Sequence, residues 1–197
     1  SQIVPIEIPQ RRGDPKIFDK DEGPRGDSSM EVLGRLRPVM KDGTVSAGNA
    51  SSQNDAASVC LLVAEDKLEE LGLEAMGFLK GWVVTGCHPA TMGIGPVPST
   101  RKVLEKTGMS IEDIDQVELN EAFAAQAVYV IRELGLDPEK TNVNGSGISL
   151  GHPIGATGAI MTIKLMEEMT RRDQQFGLAT MCVGGGQGVS TIFERLN

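Results

Sequence analysis

Residues 122–134 are long enough for three turns of helix and are apolar around nearly their whole circumference. A helix of that kind is stable only when other layers cover it on more than one side. The chain must therefore build, or join, a layered fold. Strand-like and helix-like stretches alternate from about residue 52 onward. Residues 57–64 form a continuous apolar run, the pattern of a strand covered on both faces. A short charged helix is expected at 65–71 and a second strand at 76–85. Ser99 reads as the cap of a helix that stops at Gly108. Ser110 and Asp113 have capping-box spacing. A brief strand at 116–119 leads into the apolar helix at 122–134, which Gly135 ends, and a second mostly apolar helix covers 155–172. Two strands, 177–183 and 188–194, flank Gly184, Gly185 and Gly186. The fold class read from this alternation is α/β.

Residues 1–52 read differently. Ile3 to Pro9 alternates like an edge strand whose prolines forbid a central position. Residues 10–29 are rich in turn formers, and a short helix over 29–36 is stopped by Pro38. This part cannot bury a core of its own and reads as a lobe lying on something else.

Charge and cysteine usage narrow the function classes. Of 197 residues, 19 Lys+Arg stand against 27 Asp+Glu, a net charge of −8, so no chain-wide basic field exists to hold nucleic acid or an anionic membrane. Three cysteines without a CxxC do not make a disulfide framework, and they suggest a reducing, cytoplasmic setting. The run at 57–64 is far too short to span a bilayer, and no signal peptide opens the chain. Neither a P-loop nor a GxGxxG after a strand is present, and GxSxG is absent. Two histidines and scattered cysteines cannot build a metal site, so no metal is expected.

Three polar clusters remain, each at the end of an expected element. They are Asn120-Glu121-Ala122-Phe123-Ala124-Ala125-Gln126, the Gly151-His152-Pro153-Ile154-Gly155-Ala156-Thr157-Gly158 loop, and Cys182-Val183-Gly184-Gly185-Gly186. Glycines on both sides of His152 allow backbone and ligand to approach closely. Residue types and spacing by themselves define an α/β site of unspecified chemistry. His88 beside Cys87 reads as a loop or surface pair, and Cys60 as a core residue.

In this order and separation the three clusters resemble the C-terminal signature loops of the thiolase family. Gly48-Asn49-Ala50-Ser51 and Met92-Gly93-Ile94-Gly95-Pro96 match that family's substrate loops, so the resemblance covers essentially the whole chain. It implies acyl transfer between coenzyme A thioesters, by Claisen condensation or its thiolytic reverse, with coenzyme A as substrate and no resident cofactor. Such chemistry needs a thiol to hold the acyl group, a base for the α-proton and donors for two oxyanions. By the resemblance, Cys182 exchanges the α-proton. His152 accepts the proton of the acyl-carrying thiol and donates to a thioester oxygen. Asn120 holds a water that completes the oxyanion hole, and the Gly184 N–H serves a second hole where a side chain would intrude. The pantetheine arm is expected to pass Ser51, Met92, Ala122 and Phe123, with Arg25 at the nucleotide end.

The resemblance also implies a second cysteine, the nucleophile, carried in a thiolase's N-terminal half and without counterpart here. Residues 1–52 then correspond to the end of the family's loop lobe, and 53–197 to its C-terminal core half, an α/β layered fold with a mixed sheet and buried helices. Three readings follow: one subunit of a two-chain thiolase, a thiolase cut in its loop lobe, or a thiolase-like protein that only binds or scaffolds a partner. Retention of Asn120, His152 and Cys182 together opposes the third. The first two imply an obligate partner, the N-terminal half, and a dimer of two-half units. Chain-length preference leans towards short acyl groups such as acetoacetyl.

Overall fold

The structure, a computed structural model, describes residues 2–196. Four strands form its principal sheet: β3 (Gly77–Gly86), β4 (Gln116–Leu119), β5 (Phe176–Val183) and β6 (Gln187–Arg195). Their order is β3-β6-β5-β4. β6 is antiparallel to both neighbours, whereas β4 and β5 run parallel, so the sheet is mixed, as the family resemblance implies. Before it come a small hairpin, β1 (Ile6–Ile8) and β2 (Lys16–Phe18), and the helices α1 (Met30–Gly34) and α2 (Leu68–Leu71). β2 lies in the stretch read as turns alone; it pairs antiparallel with β1, Ile6 opposite Phe18 and Ile8 opposite Lys16.

Helices cover both faces of the sheet. On one face α3 (Pro96–Thr107) and α4 (Ala124–Leu134) enclose Val103, Leu119, Val130, Leu178 and Ile192, all fully buried. Each such side chain contributes on the order of 1.5–3 kcal/mol of burial. On the other face α6 (Thr157–Arg172) packs Leu165, Met166 and Met169 against Ala179 and Phe193. A one-turn helix, α5 (Gly147–Leu150), precedes it.

Three readings of the sequence are corrected. α3 begins at Pro96, not after a cap at Ser99, because prolines 96 and 98 suit the first turn, where an amide N–H has no helical partner. Ser99 instead lies fully buried, its Oγ 3.1 Å from the Gly95 carbonyl and 2.7 Å from Ser190 Oγ. Ser190 Oγ also lies 3.0 Å from Thr100 Oγ1 and 2.7 Å from Thr180 Oγ1, which ties α3 to β5 and β6. α4 is covered on one face only: Gln126, Ala127 and Val130 are buried while Val128 and Tyr129 stand out in solvent. The run at 57–64 forms no strand; no strand of the sheet reaches it, and Cys60, read as core, is exposed. Among the described residues no helix is long and apolar enough to cross a membrane.

Beneath β4 lies a buried ion pair. Lys164 of α6 donates to Glu118 Oε2 at 2.8 Å and also to the Gly145 carbonyl, with both charged side chains nearly inaccessible. Burial raises the Glu118 carboxyl, and the Lys164 ammonium pulls it back only in part, leaving it at about 7. Because the folded-state value lies above the ordinary one of 4.5, the native state binds the extra proton, and this contribution to stability is lost as pH rises from about 4.5 through about 7. Thermal denaturation followed from pH 5 to 8 should show Glu118→Gln losing that component of the decline. A variant with the wild-type slope would place the titrating group elsewhere.

Candidate active site

The carboxyl ends of β4 and β5 carry two of the expected residues. Asn120 follows β4 directly and is fully buried, its N–H donating to the Thr180 carbonyl at 3.0 Å. Cys182 lies near the end of β5, 7% exposed, on the same face as Leu178 and Thr180 by the two-residue period of a strand. Parallel pairing of Leu119 with Thr180 is what brings the two ends to one edge of the sheet. Ligands in open α/β sheets gather at such carboxyl edges.

His152 joins them from the loop before α6. Its backbone N–H is shared between the Ser52 carbonyl at 3.0 Å and Asn54 Oδ1 at 3.2 Å. That approach requires glycine at 151, where φ is +102° and a Cβ would sit 2.2 Å from Asn54 Oδ1. The ring is oriented by Thr157, the first residue of α6. Thr157 Oγ1 donates to the Pro153 carbonyl at 3.0 Å, so at 2.7 Å from His152 Nδ1 it acts as acceptor. The Nδ1 atom therefore carries the proton and Nε2 keeps its lone pair. Nε2 lies 3.4 Å from Asn120 Nδ2. Partial burial holds the imidazole below its usual range, which keeps it neutral near pH 7. The buried Oδ1 of Asn120 has no hydrogen-bond partner among the described residues, the property of a group that awaits a water or a ligand.

The third cluster makes the turn between β5 and β6. Burial pushes the Cys182 thiol up, and the neighbouring Cys87 thiol adds to the effect, so Cys182 rests protonated. Cys87 is held there by its N–H, which donates to the Gly186 carbonyl at 2.7 Å. A Cβ on Gly184 would meet nothing within 4 Å, whereas one on Gly186, at φ +89°, would lie 2.4 Å from the Cys87 carbonyl oxygen. Cys87 therefore makes glycine necessary at 186, whereas the space beside exposed Gly184 is open.

A short backbone bridge assembles the expected thioester-arm residues. Ala50 pairs with Phe123, the Ser51 N–H donates to the Ala122 carbonyl at 2.9 Å, and the Ala124 N–H donates to the Asn49 carbonyl at 2.8 Å. Ser51, Ala122 and Phe123 are thereby adjacent, with Ala122 buried and Phe123 44% exposed. Met92, half-buried, offers its carbonyl to Cys87 Sγ at 3.8 Å, on the thiol side of the site. Arg25 stands apart: it is exposed in a turn closed by the Ser28 N–H on its carbonyl, and no hydrogen bond of the described residues joins it to the bridge. His88 only caps a 3-10 turn, its Nδ1 accepting from the Ala90 N–H at 3.2 Å.

Sequence reasoning missed Thr157, Ser52, Asn54 and the contact of Cys87 with Gly186. Thr157 carried a readable signal, a hydroxyl at the start of the helix that follows the histidine loop. The others depend on contacts between distant segments. Among the described residues no three His, Cys, Asp or Glu side chains converge as a metal ion would need. What the arrangement offers is a neutral base at Nε2, an unpaired amide oxygen beside it and a protonated thiol at the same edge.

Comparison with known proteins gives a consistent set. The family model for the thiolase C-terminal domain matches residues 73–195, and that for the thiolase N-terminal domain matches residues 1–66. An acetyl-CoA acetyltransferase of Chromobacterium violaceum is 53% identical over 195 residues, covering 98% of this chain and 50% of that protein. The beta-ketothiolase BktB of Cupriavidus necator is 50% identical over 197 residues, covering 99% and 50%. The crystal structure of the Bacillus anthracis acetyl-CoA acetyltransferase superposes with a TM-score of 0.94 at 52% identity, over 99% of this chain and 50% of that one. Human mitochondrial 3-ketoacyl-CoA thiolase in complex with CoA gives 0.86 at 41% identity, over 92% and 46%. The chain thus spans about half the length of the curated relatives it matches.

The tautomer of His152 is open to direct test. In ¹⁵N spectra of the neutral side chain, wild type should show the proton on Nδ1, and Thr157→Val should shift population towards the Nε2–H form. An unchanged tautomer in Thr157→Val would remove that hydroxyl from its orienting role.

Proposed function

The chain belongs to the thiolase family, and from that premise we propose that it supplies the proton-transfer half of a thiolase active site. Its substrates are then coenzyme A thioesters, with 3-ketoacyl-CoA of acetoacetyl size cleaved by thiolysis or formed by condensation. The observation that carries this reading is the meeting of His152 Nε2 with Asn120 Nδ2 at 3.4 Å, at the sheet edge that also carries the buried, protonated Cys182. The acyl-carrying thiol comes from a second polypeptide holding the rest of the N-terminal thiolase domain.

In the thiolytic direction every proton has a place. The partner's thiol attacks the keto carbonyl, and its proton passes to His152 Nε2, the free lone pair of the ring. The imidazolium then donates from Nε2 to a thioester oxygen, while a water held by Asn120 supplies the companion hydrogen bond. The Gly184 N–H serves the oxyanion of the carbonyl under attack. As the carbon–carbon bond breaks, Cys182 S–H delivers its proton to the α-carbon of the departing thioester. Incoming coenzyme A returns a proton to the Cys182 thiolate and attacks the acyl-thiol, and the released partner thiolate regains its proton from His152. The raised thiol of Cys182 suits this order, because the first demand on it is to donate. Condensation is the same path reversed, with Cys182 as base.

Ser51, Met92, Ala122 and Phe123 line the approach of the thioester arm in this reading, and Arg25 reaches the nucleotide end. Membership in the family and the retention of Asn120, His152 and Cys182 support an acyltransferase; the partner, the substrate size and these contacts are parts of the proposal.

Cleavage of acetoacetyl-CoA by coenzyme A tests it. The chain alone should be inactive. Mixed with the N-terminal half of the Bacillus anthracis relative, it should turn over. Cys182→Ala in that mixture should lower kcat by ~10²–10⁴-fold, while acetyl-CoA, whose thioester transfers without carbon–carbon cleavage, should still acylate the partner thiol detectably. Undiminished turnover in Cys182→Ala would remove Cys182 from proton transfer.

A further inference from the structure

We infer that Lys164, which the proton transfers above do not use, positions Asn120 through one water held between α6 and the end of β4. This deepens the proton-transfer reading and rests on it for the role of Asn120. Glu118 and Asn120 are two residues apart, so their side chains leave the chain on the same side, the side from which Lys164 of α6 reaches Glu118. A cavity of about 20 Å³ lies there, and Asn120, Ser146, Gly147 and Lys164 all line it. That volume suits one water, which needs two to four polar partners. Three are at hand. An ammonium has three N–H donors; Lys164 gives one to Glu118 Oε2 at 2.8 Å and another to the Gly145 carbonyl, and its third meets no acceptor among the described residues. The Oδ1 of fully buried Asn120 has no hydrogen-bond partner among them either. Ser146 Oγ donates its proton to the Leu119 carbonyl at 2.8 Å and is left to accept. A water that accepts from Lys164 Nζ and donates to Asn120 Oδ1 and Ser146 Oγ satisfies all three. Glycine at 147 keeps the place open, because a Cβ there would come within 3.0 Å of Asn120 Oδ1.

The anchor matters because the two ends of a primary amide are nearly alike in shape, and only its partners decide which way it faces. At rest the lone pair of His152 Nε2 draws Asn120 Nδ2 towards it, at 3.4 Å. When His152 becomes imidazolium that lone pair is gone. An amide free to rotate would then offer Oδ1 to the Nε2–H and divert it from the thioester oxygen. With Oδ1 tied to the Lys164 water, Nδ2 keeps facing the histidine and the imidazolium proton stays available to substrate. Lys164 is thus a positioning residue. Its water lies on the Oδ1 side of Asn120, apart from the one that the amide presents to the thioester.

A high-resolution crystal structure and NMR spectra of the full chain test the anchor without any partner. A water should lie about 2.7–3.2 Å from both Asn120 Oδ1 and Lys164 Nζ. The Asn120 amide protons should show NOEs to the His152 ring protons on both sides of the imidazole titration. No water at that place, or amide protons that turn away once His152 is protonated, would overturn the inference. Two double variants test the consequence. Glu118→Gln with Lys164→Gln keeps a donor for the water, whereas Glu118→Gln with Lys164→Met has a side chain of the same length without one, and neither leaves a buried charge unpaired. Assembled with the N-terminal half of the Bacillus anthracis relative, the variant carrying Lys164→Met should have kcat ~3–10-fold below the other at unchanged KM for acetoacetyl-CoA. Equal kcat in the two would also overturn the inference. A wild-type mixture that does not turn over would sink the proton-transfer reading instead, and the water and the NOEs would then decide the anchor by themselves.

Discussion

Parallel pairing of β4 with β5 is the constraint on which the site depends. It aligns Leu119 with Thr180, and the next residue of β4, Asn120, closes the register by donating to the Thr180 carbonyl. Two strands that enter the sheet far apart in sequence thus end at one edge. The antiparallel return of β6 from β5 then forces a tight turn immediately beyond Cys182, and that turn is where Cys87 docks on Gly186. Neither consequence needs a specific long-range side-chain contact. The backbone ladder brings the thiol and the amide to one edge before any substrate is present.

The loop that brings His152 is set by a second layer. α6 is pinned under the sheet by Leu165 and Met169, and its Lys164 reaches the carboxylate of Glu118 on β4. Thr157 at the head of the same helix fixes the imidazole, so the helix that packs the core also sets the histidine tautomer. A buried pair of this kind contributes little net stability over apolar residues of the same volume, yet breaking one side of it is costly. Its value here is positional: Glu118 is two residues before Asn120, and Lys164 lies about two turns beyond Thr157 on the same face of α6.

Much of this was legible in the chain itself. Short apolar runs ended by polar, glycine-bearing loops located β4, β5, β6 and α6 to within a few residues, and the capping-box spacing of Ser110 and Asp113 appears as such. The three clusters could be read because each sits at a strand or helix end, where polar residues interrupt an apolar pattern. Ser99 misled because its hydroxyl looks like a cap, although two prolines had already provided a helical first turn. Residues 57–64 misled for a different reason. Periodicity reports what a segment needs for burial and says nothing about which chain provides the cover. Gly184 and Gly186 are indistinguishable by composition, and only the position of Cys87 separates them.

Exchange of the methyl protons of acetyl-CoA with deuterium from solvent tests the proton-transfer assignment most directly, because it requires a base and an oxyanion hole without carbon–carbon bond formation. Measured by NMR on the chain assembled with the N-terminal half, wild type should wash deuterium into the methyl group. Cys182→Ala should lose the exchange while still binding acetyl-CoA. Exchange at the wild-type rate in Cys182→Ala would contradict the account.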